Sequence, residues 1–256
     1  MAIALSVNLN KIALLRNSRP GNYPDPMTHG AICLDAGAQG LTLHPRPDQR
    51  HVRPADVRRC AQLITQYSGA EFNIEGNPFA APLADYPGLL ALVEETRPAQ
   101  CTLVPDTHSQ LTSDHGFDLT QDGERLLPII QQLDSWGVRV SLFMDPDLAQ
   151  IRLAKTLGAD RIELYTGPYA AAHAQQDAAA ETLLQSYIAA STLAQEIGLG
   201  VNAGHDLNLQ NLTAFHRLPL IQEVSIGHAL TVDALYMGLA PAVRAYLAIC
   251  QGAVHE

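Results

Sequence analysis

Short apolar segments alternate with longer amphipathic segments along the whole chain. The short segments are rich in β-branched residues and end in polar residues, a pattern typical of buried strands. Eight of them occur, at residues 3–9, 40–44, 71–75, 101–105, 139–145, 161–166, 198–204 and 223–228. Helix-like segments lie between them, for example at residues 54–67, 122–136, 147–157 and 178–197.

This alternation predicts an α/β fold with a parallel sheet, because a helix is the usual connection between parallel strands. Eight strand–helix units within 256 residues favour a (β/α)8 TIM barrel that forms one domain over residues 1–256. A doubly wound open sheet is the alternative fold. Such a sheet usually has a glycine-rich phosphate loop after its first strand, whereas the segment NLNKIALLR at residues 8–16 contains no glycine.

A barrel makes a further demand, because the catalytic residues of barrel enzymes come from the carboxyl ends of the strands. The segment GLTLHPRPDQRHV at residues 40–52 meets this demand, since a buried strand is followed there by His44, Arg46 and His51. Polar residues also follow the other predicted strands, among them Asn8, Asn10, Glu75, Asp106, Asp145, Glu163, Asn202, His205 and His228. We therefore expect one site at this end of the barrel.

Composition narrows the classes of partner. The net charge of −10 argues against nucleic acid, yet residues 1–59 contain eight basic and four acidic residues, which suits a small anionic ligand such as phosphate. No segment approaches the ~18 apolar residues of a membrane span, and the N-terminus lacks the pattern of a signal peptide. The four cysteines form no CxxC pair. We expect a cytoplasmic protein with reduced thiols and no membrane partner.

Histidine and glutamate side chains gathered at one barrel mouth support repeated proton transfer. The candidates for this role are His44, Glu75, Glu163 and His205. Zinc binding is the alternative, but metal-dependent hydrolase barrels have a His-x-His pattern after the first strand, where this chain has Asn8 and Asn10. A Schiff-base enzyme needs a lysine at a strand end, and the chain contains only Lys11 and Lys155. We expect neither a metal nor a cofactor.

Phosphate binding is suggested at two places. The guanidinium groups of Arg19 and Arg46 can each form paired hydrogen bonds to a phosphate. Gly227 and His228 open the last predicted helix, and the backbone N–H groups at a helix N-terminus bind anions. Gly227 fits an ordinary tight turn equally well, so both interpretations of this segment remain open.

The segment PDTHSQLTSDHGFD at residues 105–118 is long for a strand-to-helix connection, which usually has about 2–6 residues. Its composition of small and polar residues suits a lid that closes over the site and excludes water. A tolerated surface insertion is the alternative, and length alone does not decide between the two.

Several motifs together resemble the pyridoxine 5'-phosphate synthase family of vitamin B6 biosynthesis. They cover nearly the whole chain in order, and the most specific are GADRIELYTGPYA at 158–170, LGVNAGHDLNLQN at 199–211 and SIGHAL at 225–230. The resemblance implies a (β/α)8 barrel without metal or cofactor. It also implies a reaction in which 1-deoxy-D-xylulose 5-phosphate and 1-amino-acetone 3-phosphate condense to pyridoxine 5'-phosphate, inorganic phosphate and water.

The resemblance also implies roles for individual residues. His44 matches the general base of the family, Glu75 a second base and His205 the general acid, while Glu163 matches a carboxylate that stabilises developing positive charge. The residues that match the deoxyxylulose phosphate site are Arg46, His51 and Thr112. Those that match the aminoacetone phosphate site are Asn8, Arg19, Gly227 and His228.

The chain departs from the family at several positions. Asn10 and Lys11 replace the usual Asp-His, Asp206 replaces a glycine, and Tyr165 replaces a common histidine, which marks a divergent subfamily. We assign Asn10, Lys11 and Asp206 to the substrate-binding set. Because the changes add opposite charges, we expect the head groups of Lys11 and Asp206 to offset each other directly or through one water; the alternative is that both point into solvent.

The family resemblance also suggests a homo-oligomer, an octamer, with small phosphorylated substrates as the other partners. Two other functions remain open. One is another phosphosugar-acting barrel enzyme, such as an isomerase or a metal-dependent hydrolase. The other is a non-catalytic paralogue that binds a phosphometabolite, for which we would expect the acid–base residues to be lost.

Overall fold

A computed structural model describes residues 2–107 and 109–252 of the chain. Its eight parallel strands form a closed barrel in which each strand pairs with the next and the last pairs with the first. The strands are β1 (Ala4–Asn8), β2 (Gly40–Leu43), β3 (Glu71–Gly76), β4 (Gln100–Leu103), β5 (Arg139–Met144), β6 (Arg161–Tyr165), β7 (Gly200–Gly204) and β8 (Ile221–Ile226). The predicted (β/α)8 barrel is confirmed, with strand ends shifted by at most two residues.

Helices cover the outside of the barrel. They are α1 (Asn10–Asn17), α2 (Pro26–Asp35), α3 (Pro54–Ile64), α4 (Leu89–Thr96), α5 (Leu119–Ser135), α6 (Leu148–Thr156), α7 (Gly167–Ala174), α8 (Ala179–Glu196), α9 (His228–Met237) and α10 (Leu239–Cys250). A 3₁₀ helix at Leu212–Arg217 connects β7 to β8. No helix within residues 2–107 and 109–252 is long and apolar enough to cross a membrane.

Aspartate side chains fix where three of these helices begin. Asp25, Asp118 and Asp147 accept hydrogen bonds from backbone N–H groups in the first turns of α2, α5 and α6, respectively. These bonds satisfy donors that have no partner within the helix. The helix starts therefore follow from local sequence chemistry.

Alternate residues of each strand face two different environments. The outward-facing residues are apolar and pack under the helices, as Leu41 and Leu43 do in the main hydrophobic cluster. The inward-facing residues fill the barrel lumen and are polar: Ser6, Thr42, Asn73, Gln100, Thr102, Glu163, Asn202 and Glu223. Hydrogen bonds across the lumen join Gln100 Nε2 to Glu223 at 3.5 Å and Asn202 Nδ2 to Gln100 at 3.3 Å. The hydrophobic core is thus a shell around a polar lumen.

Candidate active site

A cavity of about 320 Å³ lies at the carboxyl ends of the strands. It brings together nearly all of the residues that the sequence assigned to the site: Asn8, Asn10, Lys11, His44, Arg46, His51, Glu75, Thr112, Glu163, His205, Asp206, Gly227 and His228. These residues come from distant parts of the chain and meet because parallel strands end on the same face of the barrel.

Arg19 is the exception among the assigned residues. Helix α1 ends at Asn17, and the backbone then turns, with the N–H groups of Ser18 and Arg19 donating to carbonyls of the last helical turn. This turn leaves the Arg19 side chain exposed and outside the residues that line the cavity. The structure therefore does not bring Arg19 to this site, and its phosphate-binding role stays a prediction.

His44 lies between two carboxyl groups. Its Nδ1 is 3.7 Å from Glu75 Oε2, and its Nε2 is 3.2 Å from Asp106 Oδ2. The backbone N–H of His44 donates to Asn10 Oδ1 at 3.0 Å, which fixes the point where β2 runs into its loop. An imidazole held between a buried glutamate and a buried aspartate can accept a proton on one side and pass it on from the other.

Asp106 received no role from the sequence, although it follows β4 as one of the polar strand-end residues. Its carboxylate is buried and forms an ion pair with Arg46, with 2.5 Å between Oδ2 and Nη2. Positive charge from His44 and Arg46 holds the pKa of Asp106 below its usual range despite burial. Asp106 therefore carries a fixed negative charge that orients both the imidazole and the guanidinium group.

The two glutamates at the cavity floor have raised pKa values. For Glu75, burial raises the pKa, while nearby His44 and His205 oppose this effect; Asn8 Nδ2 also donates to Glu75 Oε2 at 3.2 Å. For Glu163, burial raises the pKa well above the usual value, and the charges of Glu75 and Glu223 raise it further. Burial and the neighbouring carboxyl groups thus both favour the protonated form of Glu163.

His205 stands at a sharp turn after β7. His205 and Asp206 have left-handed backbone angles, with φ of 88° and 59°. Thr166 stabilises the turn, because its hydroxyl donates to the Gly204 carbonyl at 2.8 Å and also to the His205 carbonyl. The TGPYA segment that follows β6 therefore shapes the neighbouring strand end as well as its own.

Both nitrogens of the His205 ring have partners. Nε2 is 2.8 Å from Thr112 Oγ1, and Nδ1 is 3.0 Å from Asp206 Oδ2. The hydrogen bond to His205 lowers the pKa of Asp206, which keeps this carboxyl ionised. Asp206, which departs from the family pattern, therefore orients His205 as the carboxylate of a His–Asp pair.

The expected compensation between Lys11 and Asp206 takes an indirect form. The described residues contain no Lys11–Asp206 ion pair within 4.0 Å, so a direct contact is absent, because the carboxylate of Asp206 is directed at His205. Both residues nevertheless line the cavity, and the charge of Lys11 contributes to the lowered pKa of Asp206. The two residues therefore meet at the cavity without a direct contact, and the side chain of Asp206 is 49% exposed.

Two groups of donors in the cavity suit anions. At the start of α9, a Cβ atom on Gly227 would lie 3.0 Å from Asn8 Cβ, so this close approach of β1 and β8 requires glycine. On the other side, His51 Nδ1 accepts the backbone N–H of Val52 at 2.9 Å, and burial lowers the pKa of His51 to about 3. His51 is therefore neutral, with its proton on Nε2, and can donate to an anion.

Arg46 adds further donors beside His51. Its Nη1 donates to the carbonyl of Gln110 at 3.1 Å, and Arg50 Nη1 donates to the same oxygen at 2.8 Å. The Nε of Arg46 is buried and has no hydrogen-bond partner in the described part of the chain. The Gln110 carbonyl oxygen thus lies where the side chains of Arg46 and Arg50 converge, and the Nε of Arg46 remains without an acceptor in the described part of the chain.

The loop that supplies Gln110 covers the cavity. Leu111, Thr112 and Ser113 line it, and Gly116 packs so closely on the end of β5 that a Cβ atom would lie 2.2 Å from the backbone nitrogen of Asp145. This placement supports the lid interpretation of residues 105–118 over that of a surface insertion. His108 of this segment lies outside the described residues.

The segment that carries Arg46 and His51 rests on a buried ion pair. Arg16 of α1 is 1% exposed, and its Nη1 lies 2.6 Å from Asp56 Oδ1 of α3. Arg16 Nη2 also donates to the His51 carbonyl at 2.9 Å, and Asn17 Nδ2 donates to the same oxygen at 2.8 Å. No pattern in the sequence indicates this pair, because an arginine in an amphipathic helix usually faces solvent.

The fold and this cavity together are those of a barrel enzyme, with histidine and carboxyl side chains gathered at the carboxyl ends of its strands. Residues 5–252 match the sequence profile of the family described as pyridoxal phosphate biosynthesis protein PdxJ. The chain belongs to this family.

Curated relatives match the chain over nearly its full length. A protein of Xanthomonas campestris pv. campestris strain B100, named pyridoxine 5'-phosphate synthase, is 56% identical over 253 residues, which cover 98% of each chain. A protein of the same name from Xylella fastidiosa strain M23 is 55% identical over 246 residues, which cover 96% of this chain and 94% of the relative.

Solved structures with low sequence identity share the fold alone. One, described as native KDPGal, superposes with a TM-score of 0.60 at 13% identity and covers 99% of this chain and 97% of that one. Another is a cube-shaped designed protein cage, with a TM-score of 0.62 at 11% identity, covering 99% of this chain and 74% of that one. These likenesses support the barrel and carry no information about the reaction.

Proposed function

We propose that this chain is the enzyme that condenses 1-deoxy-D-xylulose 5-phosphate with 1-amino-acetone 3-phosphate to give pyridoxine 5'-phosphate, inorganic phosphate and water. The observation that carries the proposal is the grouping of His44 with Glu75 on one side of the cavity and His205 on the other, in a chain 56% identical to a relative named for this product. The amine of the substrate itself forms the carbon–nitrogen bond, so the chemistry needs no lysine.

In this proposal His44 is the general base. Its contact with Glu75, 3.7 Å from Nδ1 to Oε2, lets the glutamate take over a proton from the imidazole, so that the histidine can act again in a later step. Asp106 holds the imidazole in place, because its carboxylate lies 3.2 Å from Nε2. A ring closure that includes several proton transfers needs such a pair of exchanging groups.

His205 is the proposed general acid, and Glu163 stabilises positive charge. The carboxylate of Asp206 orients His205 through Nδ1, and Nε2 gives a proton to a leaving oxygen that takes the place of the Thr112 hydroxyl beside it. Glu163 is neutral in the empty cavity and ionises when a cationic nitrogen of the reacting substrate replaces lost hydration. Two carboxyl–histidine pairs on opposite sides thus divide the base and acid work.

The two substrate phosphates occupy the two donor groups. We assign the deoxyxylulose phosphate to Arg46, His51 and Thr112, and the aminoacetone phosphate to Asn8, Gly227 and His228. Neutral His51, whose Nε2 carries the proton, and the guanidinium group of Arg46 support the first assignment, since both residues line the cavity and both can donate to an anion. The helix N-terminus at His228 supports the second.

The protein is also proposed to act as a cytoplasmic homo-oligomer, an octamer as in the family it resembles. Exposed apolar side chains support an assembly: Leu14 and Leu15 on α1, and Leu235 and Tyr236 on α9, are 45%, 55%, 78% and 87% exposed. Helices α1 and α9 pack against each other, so these side chains lie on neighbouring elements. Sedimentation of the wild type beside a Leu235→Glu, Tyr236→Ser variant tests this part.

The activity is tested by incubating the protein with both phosphorylated substrates and detecting pyridoxine 5'-phosphate and inorganic phosphate. We expect product with the wild type and about 100-fold or greater loss of turnover for Glu75→Gln and for His205→Asn, with unchanged folding. Binding of both substrates without turnover would favour a non-catalytic paralogue. Turnover of a single phosphosugar instead would favour another barrel enzyme.

A further inference from the structure

Glu223 is a buried carboxyl group that the proposed chemistry does not use. It lies on β8, is 6% exposed and faces the lumen below the active site. It lines a separate cavity of about 260 Å³ at the amino ends of the strands, together with Ser6, Glu71, Asn73 and Arg161. Glu223 therefore lies near the amino ends of the strands, at the end of the barrel opposite to the one where substrates enter.

Glu223 and Glu163 lie at the same level of the barrel. The strand register aligns Glu163 of β6 with Asn202 of β7, and Asn202 with Glu223 of β8. Because neighbouring strands are about 4.8 Å apart, the two glutamate backbones are separated by about 10 Å. The residue between them is a neutral amide, so no charge on the intervening strand position shields one carboxyl from the other.

The charged groups around Glu223 come from several strands. Arg161 Nη1 lies 3.6 Å from Glu223 Oε2, and Arg139, Glu71 and Glu75 also act on it. Gln100 Nε2 of β4 donates to Glu223 at 3.5 Å and Arg161 Nη1 donates to Asn202 at 3.1 Å. Arg139 and Arg161 lie at the amino ends of β5 and β6. The neighbours of Glu163 toward the active site are Thr102 and Glu75.

We propose that Glu223 is a positioning residue for the reaction proposed above: its charge, acting across the polar lumen, sets how readily the active-site carboxyls Glu163 and Glu75 ionise. A negative charge about 10 Å away, at an effective dielectric constant of about 20, shifts a neighbouring ionisation by about one pH unit. Burial raises the pKa of Glu223 itself to about 7, so its charge changes in the neutral range.

Because Glu223 lines the cavity at the amino ends of the strands, its effect on the active-site carboxyls has a distinct kinetic signature. Glu223 borders a cavity separate from the one that the substrates fill, so it can exchange protons with solvent whether or not the active site is occupied. The effect on the active-site carboxyls is therefore present both in the free enzyme and in the substrate complex. Removing Glu223 should change the pH dependence of kcat/KM and of kcat together.

The test compares pH–rate profiles of the wild type, Glu223→Gln, Glu223→Asp and Glu71→Gln. We expect the limb that reports ionisation of Glu163 and Glu75 to move toward lower pH in Glu223→Gln for both kcat/KM and kcat, by up to about one pH unit at and above pH 7, where Glu223 is charged. Glu223→Asp keeps the charge and should restore the wild-type profile. Glu71 lines the same cavity but pairs with Arg139 and is more exposed, so Glu71→Gln should move the profile far less than Glu223→Gln.

A second readout does not depend on turnover. Infrared difference spectroscopy follows the protonated carboxyl band of Glu163, which Glu163→Gln identifies by its loss. We expect this band to titrate at lower pH in Glu223→Gln than in the wild type. An unchanged titration in a folded variant would overturn the proposal, and Glu223→Met carries the same expectation should the glutamine variant not fold. Absence of product from the wild type would overturn the proposed function alone, since the infrared titration still decides the coupling.

Discussion

The buried ion pair between Arg16 and Asp56 yields the most demanding prediction. The substitution Arg16→Met keeps an unbranched side chain that can stay buried but removes the guanidinium group and its charge. Asp56 then stays buried without its partner at 2.6 Å, and the His51 carbonyl loses one of its donors at 2.9 Å. Removing one member of a buried pair typically costs about 3–5 kcal/mol, because the remaining charge has no compensation. We expect a loss of this size in the free energy of unfolding.

Urea unfolding at neutral pH measures this loss, and two further variants serve as comparisons. Arg59→Met removes an exposed pair with Asp25 and should cost below about 1 kcal/mol. In the double variant Arg16→Met, Asp56→Asn the uncompensated charge is absent, while the amide oxygen can still cap α3 by accepting the Arg53 N–H. The double variant should therefore lose less stability than the sum of the single variants.

The same variant tests how the phosphate site is held. Because Arg16 and Asn17 both donate to the His51 carbonyl, the KM for the deoxyxylulose phosphate should rise in Arg16→Met, while kcat changes less. Two results would refute the reasoning. One is a stability loss for Arg16→Met no larger than that for Arg59→Met, and the other is strict additivity in the double variant.

Three more predictions follow from the site. Gly204→Ala would place a Cβ atom 2.2 Å from Glu163 Oε1, so we expect a folded protein, by circular dichroism, with turnover lowered about 100-fold. Arg46→Ala should weaken binding of the deoxyxylulose phosphate by about 1.5–3 kcal/mol, measured by calorimetry; unchanged affinity would misplace that site. Because the folded-state pKa of Glu223 is raised from 4.5 to about 7, Glu223 stabilises the folded protein fully below pH 4.5, and this stabilisation is lost as pH rises through 7. Between pH 4.5 and 7 the free energy of unfolding of Glu223→Gln should therefore fall by about 3 kcal/mol less than that of the wild type.

The barrel could be predicted from the sequence because its signals are local. Each strand is a short apolar run, and each helix that follows has its own start and end signals, such as Asp147 before α6 and Gly158 after it. Parallel strands then place all carboxyl ends on one face without further information. For this reason the cavity contains every residue that was assigned to the site except Arg19.

The parts that could not be predicted depend on distances within the folded chain. The ion pair of Asp106 with Arg46 joins residues 60 positions apart, and no local pattern indicates which strand-end carboxylate meets which arginine. The direction of Asp206 toward His205 depends on two consecutive left-handed residues, which side-chain types alone do not specify. The polar lumen was missed because apolar and polar residues alternate in strands of many folds, including sheets with one face in water.

Because the lumen is polar, each strand contains two alternating sets of residues: one packs against the helices, and the other faces the interior of the barrel. In β2, Leu41 and Leu43 anchor the helices, while Thr42 and the following His44 serve the interior. Substitutions should therefore fall into two alternating sets of strand positions. Those at outward-facing positions lower the abundance of the folded protein, and those at inward-facing positions lower turnover at normal abundance. Evolution can alter the chemistry of such a barrel at the inward-facing positions while the outward-facing positions keep the molecule folded. Catalysis and stability can therefore evolve separately.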